Sequence, residues 1–204
     1  MAKTYYYKGQ EILTPYNIYD NRTVFTNESL NKKRTHTFID GQRFDMNFAV
    51  KPSHDPSQIM LAHISGFHET DTMVFPQGVG LEDKRTYNGT LAVKNAATAG
   101  QDQITVNSQS GHGANKIIPA GYFIKFQGHS KIYMVTEELN LNNGADKTLK
   151  IYPKLQKNVA AANEVKLGDD VIYTYERDIK TARGISFSGG VLTNPGTINL
   201  VEKV

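Results

Sequence analysis

Between Arg43 and Val50 the chain reads RFDMNFAV, and Phe44, Met46, Phe48 and Val50 occupy every second position. Successive side chains of a strand point to opposite faces, so this stretch sets one apolar face against a core and turns a mostly polar face the other way. Asp40-Gly41 just before it is a hairpin-type turn signal. Thr72-Met-Val-Phe-Pro76 reads as another strand. One helix is expected in this half, over Asp55–Gly66. Asp55 suits its cap, Pro56 its first position and Gly66 its end, with Ile59, Met60, His63 and Ile64 at helical spacing.

A second block starts near Tyr87. Short strands are expected over Asn88–Val93, Gln103–Asn107, Tyr122–Gln127, Lys131–Glu137, Thr148–Pro153 and Val171–Tyr175, with turn-like GHS, NNGADK and GDD between the later ones. Many short strands in so little chain suit a small barrel, closed or nearly so. The tail from Glu176 to Val204 is strand-like again, with turns at Gly189-Gly190 and Asn194-Pro195-Gly196, but is too short for a domain. The economical layout has 87–175 inserted as a barrel domain into a domain made of 1–86 and 176–204, with Thr86-Tyr87 and Tyr173–Tyr175 as the neck.

Composition bounds the rest. A hydrophobic fraction of 39% with 11 Tyr and 9 Phe fits a globular chain, and with no cysteine neither a disulfide nor a thiolate metal site can hold it. No signal-peptide core or spanning apolar run is read, so a soluble protein made in the cytoplasm is expected, without a membrane partner. Lys/Arg against Asp/Glu run 10 to 10 over residues 1–87, 9 to 7 over 88–175 and 4 to 3 over 176–204. That even spread argues against nucleic acid as the main ligand, and Lys32-Lys33-Arg34 reads as a solvated loop.

Catalytic signatures are missing. There is no phosphate-binding loop or dinucleotide fingerprint, and Gly184-Ile-Ser-Phe-Ser188 has Ser188 where a nucleophile elbow closes with glycine. His63 and His68 lie about 140° apart on a helix, and with Glu69 and Asp71 they match no metal-ligand spacing. His112 and His129 sit in loops without an orienting carboxylate. Glu82-Asp83, Glu137-Glu138 and Asp169-Asp170 are sequence neighbours, better suited to solvated turns than to dyads. No enzyme, metal or cofactor is expected.

Two groups of residues are candidates for contacts. In Tyr122–Gln127, Tyr122, Ile124 and Phe126 share one face, and Phe123, Lys125 and Gln127 the other. A base-stacking strand wants exposed aromatics beside cations on a single face, so core packing is the favoured reading. Phe123, Lys125, Tyr133 and His112 are the contacts a barrel that binds oligosaccharide or single-stranded nucleic acid would use. Phe44, Met46 and Phe48, with Tyr5, Tyr6 and Tyr7, are candidates for subunit or neighbour contacts, against ordinary internal packing.

Pro119-Ala-Gly-Tyr-Phe-Ile-Lys-Phe126, Lys131-Ile-Tyr-Met-Val135, Leu149-Lys-Ile-Tyr-Pro-Lys-Leu155 and Gly168-Asp-Asp-Val171 resemble a module of long-tailed phage tails. With the interrupted layout around it, nearly the whole chain resembles the distal tail proteins (Dit) of siphophages, nearest in size and sequence to the branch carried by T-five-like coliphages. Tyr122 stands where many copies of the module place an acidic or small polar residue. The resemblance implies a tail-tube-like β-sandwich with one flanking helix and an inserted barrel of the oligonucleotide/oligosaccharide-binding (OB) kind. It also implies a structural virion protein made in the host cytoplasm and placed at the distal end of the tail. Its copies would form a ring, usually a hexamer, between the tail tube protein and the hub or tip proteins. The barrel would support host-binding fibres or saccharide recognition, and DNA would pass through the lumen ungripped. No ligand site is carried over.

Overall fold

The computed structural model describes residues 3–22, 24–28, 32, 34–38, 41–53, 55, 69–77, 89–110, 117–141, 146–178, 186–188, 191–194 and 196–204. The helix expected over Asp55–Gly66 lies, beyond Asp55, outside them, as do His63, His68, His112 and Thr86-Tyr87. In chain order the strands are β1 (Tyr6–Tyr7), β2 (Gln10–Asn21), β3 (Val24–Glu28), β4 (Arg34–Phe38), β5 (Arg43–Val50) and β6 (Asp71–Val74). There follow β7 (Thr90–Val93), β8 (Gln103–Ser110), β9 (Ile117–Ile118), β10 (Phe123–Phe126), β11 (Ile132–Val135), β12 (Leu139–Asn140), β13 (Lys147–Tyr152) and β14 (Glu164–Lys166). A 3-10 turn at Gly168–Asp170 leads to β15 (Ile172–Arg177), β16 (Ser186–Ser188), β17 (Val191–Asn194) and β18 (Ile198–Glu202). The protein is mainly β.

The chain forms two compact units, one of Tyr6–Asp71 with Thr174–Val204 and one of Met1–Tyr5 with Thr72–Tyr173. The sequence layout had placed the corresponding changeovers at 87 and 175.

Most of the first unit is a sheet ordered β1-β2-β5-β18-β15-β6. The alternation in β5 works as its residues dictate: Phe44, Met46, Phe48 and Val50 are buried and the residues between them are half-buried. Register carries that core sideways, since Met46 stands opposite Ile18 and Leu200, and Phe48 opposite Ile198. The C-terminal strand β18 lies between β5 and β15, so the tail of the chain completes a sheet begun near its start. Lys8 (φ 47°) and Gly9 (φ 81°) make the two-residue turn from β1 to β2, where glycine takes the left-handed conformation without cost. In β2, Thr14, Pro15 and Tyr16 stand against Phe48 alone between the pairs Leu13–Ala49 and Asn17–Asn47. Such a bulge bends the strand, and Pro15 leaves one ladder donor out. Asp40 of the expected Asp40-Gly41 turn lies outside the described residues; the strand before it, β4, pairs with β3, and the strand after it, β5, pairs with β2 and β18.

The second unit holds a closed barrel ordered β10-β11-β13-β8-β7-β14, six strands where the OB design has five. Closure removes every free edge from these strands. Its interior is one apolar cluster that includes Leu91, Val106, Ile124, Phe126, Tyr133, Val135, Leu149 and Val165, each burial stabilising by roughly 1.5–3 kcal/mol for the larger side chains. The short pair β9–β12 stands beside the barrel as a separate ladder.

Candidate functional site

The barrel residues singled out as ligand contacts do not converge. The register of β10 on β11 sets Phe123 opposite Met134 and Ile124 opposite Tyr133, so Phe123 and Tyr133 belong to opposite faces of the wall. Tyr133 points inward and is fully buried against Phe126, ring centroids 5.3 Å apart. Phe123 points outward but is only 8% exposed, because Phe75 meets it edge to face at 4.7 Å. Lys125 donates from Nζ to the carbonyl of Ile172 at 2.6 Å. A base or sugar stacks on an open ring face, and neither aromatic has one. Of the two readings, core packing, the favoured one, fits these rings better than the alternative of stacking contacts: one ring is barrel core, and the other is covered by the chain's own Thr72–Gln77 segment.

The covering segment is held by polar contacts as well. The Gln77 carboxamide donates to the Phe123 carbonyl (2.9 Å) and accepts from the Phe123 N–H (3.1 Å), Tyr5 Oη donates to the Gln77 carbonyl (3.4 Å), and the Phe75 N–H donates to the Val171 carbonyl (2.8 Å). On the first strands alone, nothing in the spacing of Phe75 and Gln77 shows that they belong with residues some 50 positions later; the long-range pairing decides it.

A second polar cluster closes one end of the barrel. His129, 7% exposed, lies with Nδ1 3.2 Å from Tyr133 Oη and Nε2 3.4 Å from the Asn158 carbonyl. The Gln156 N–H donates to Tyr133 Oη at 3.3 Å. Burial pushes the imidazole below the usual histidine range; the Asn158 carbonyl works against that, and Lys157 and Lys125 add to it. No carboxylate orients this histidine in the cluster, which suits a fastening better than a proton-transfer centre. Among the described residues, no group of three or more His, Asp or Glu could hold a metal ion, and no helix is long and apolar enough to cross a membrane.

The contact candidates of the first unit divide unevenly. Phe44, Met46 and Phe48 fill its core, and Tyr7 joins them, 5.3 Å from Phe48 and 6.0 Å from Tyr175. Tyr5, which belongs to the second unit, is buried as well. Of the two readings open for these five, neighbour contacts and internal packing, their burial favours packing, because the alternation that made them conspicuous is the alternation of a core. Tyr6 alone is open, at 59% exposure. Tyr175 hydrogen-bonds Tyr7 and Asp71, and Lys8 pairs with Asp71 at 2.9 Å. These side chains draw β1, at one edge of the sheet, toward β15 and β6 at the other.

What the first unit leaves unpaired is a ribbon. β3 follows β2 in the chain, and β4 precedes β5. Asn21 still pairs with Arg43 in the sheet, and the ladder resumes as Val24–Phe38 and ends at Glu28–Arg34. β3 and β4 form a sheet of their own, so among the described residues neither has a second partner strand. Five pairs at 3.4 Å make an arm about 17 Å long. Among the described residues, β2 beyond Glu11 pairs in a ladder with β5 alone. Of the four exposed large hydrophobic residues among those described, Val24 opens this ribbon and Tyr19 lies on β2 five positions before it. Sequence reading missed it because VFTNE and RTHTF lack an apolar face; their alternation of β-prone and polar residues was the available signal.

No protein-family model matches the chain, and no curated protein matches it.

Proposed function

We propose that this chain is a structural subunit of a long-tailed bacteriophage, a ring-forming connector at the distal end of the tail between the tail tube and the tip or hub proteins. The observation that carries the reading is the ribbon β3–β4, whose two strands, among the described residues, pair in a ladder only with each other, in a sheet separate from the one that holds β2 and β5. A two-stranded ribbon is marginal by itself in water and gains stability from a further strand or a covering surface. An assembly of identical copies supplies one, through a heterologous interface that closes by rotation. The sequence resemblance to distal tail proteins supports the same reading, as does the sheet that the C-terminal strand completes after a barrel.

In this role the first unit makes the ring, six copies in the resembling family, and the barrel is the attachment module for tip or host-binding components. DNA passes through the lumen without specific contacts. The work is mechanical rather than catalytic. An antibody to this protein, applied to intact virions in negative-stain microscopy, is expected to label the tip end of the tail. Labelling confined to the capsid or along the shaft would overturn the proposal.

A further inference from the structure

We draw no further inference here: the strongest candidate, the outer face of the first unit's sheet where Asn17, Asn47 and Asn199 stand in one row across β2, β5 and β18 beside the open ring of Tyr19, carries none because nothing in the structure shows what covers it.

Discussion

Gln77 serves Phe123 as a neighbouring strand would: its carboxamide donates to the Phe123 carbonyl and accepts from the Phe123 N–H. The reason lies in the barrel seam. β10 pairs with β14 at Lys125–Lys166 and Phe126–Val165, and the same register would set Gly168 opposite Phe123. There the chain turns instead into the 3-10 segment Gly168–Asp170. One side chain fills the missing step of the ladder.

Gln77→Ala therefore removes an acceptor from the Phe123 N–H and a donor from the Phe123 carbonyl, on two successive peptide groups. Each stranded donor or acceptor costs roughly 1–3 kcal/mol, so a loss of about 2–4 kcal/mol is expected, seen as a lower urea midpoint at unchanged slope. A change within about 0.5 kcal/mol, the size of an ordinary surface substitution, would mean that the amide is not closing the seam.

Phe75 makes a related prediction about where the barrel unit begins. Its ring is fully buried, 4.7 Å from Phe123 and 5.4 Å from Tyr173. Phe75→Ala should cost about 3–5 kcal/mol. A fragment covering Thr72–Tyr173 should also resist urea better than one beginning at Tyr87, although the added residues lie outside the barrel wall. Equal midpoints for the two fragments would remove Thr72–Gln77 from the folded unit.

That boundary illustrates what the sequence could and could not reveal. β5 and the barrel strands were legible because burial imposes a period of two on them, and the core faces of Arg43–Val50 and Tyr122–Phe126 follow from it. The contact residues were not legible, because Phe48 or Tyr133 looks equally apolar whether it meets a partner or its own core. Gln77 was silent for another reason: its bonds are to a backbone 46 positions away, and a carboxamide carries no periodic signal. The sequence places His129 in a loop, where it is, but its alignment with Tyr133 and Asn158 needed the fold.

The paired tyrosines of the first unit predict behaviour in alkali. Burial raises Tyr7 and, further, Tyr175, whose neighbours Tyr7 and Asp71 raise it again; Arg177 and Lys8 pull Tyr7 the other way. An acid whose folded pKa lies above its unfolded value binds more protons when folded at high pH. The stability this gives is whole below the ordinary tyrosine value near 10 and is lost as pH rises through the folded values. Phenolate absorbance should thus include a late, cooperative step that coincides with loss of the β signal in circular dichroism. Tyr175→Phe should shrink that step. A phenolate titration finished before the fold is lost would show the pair to be open to solvent.

The ribbon gives the prediction closest to the proposed role. Tyr19 (51% exposed) stands opposite Asp45, and Val24 (41% exposed) opens β3 five positions later. Neither belongs to the core of its own chain, so Tyr19→Lys with Val24→Lys should leave the urea midpoint of the isolated protein within about 0.5 kcal/mol of wild type. Charge on an edge opposes strand addition, and Lys in place of an interface aromatic commonly removes 2 kcal/mol or more, about thirtyfold in affinity. Tails assembled with the double variant should therefore lack the protein at their tips, when scored by antibody labelling. Normal incorporation of a normally folded variant would mean that copies meet through some other surface, and the unpaired ribbon would no longer support the connector reading.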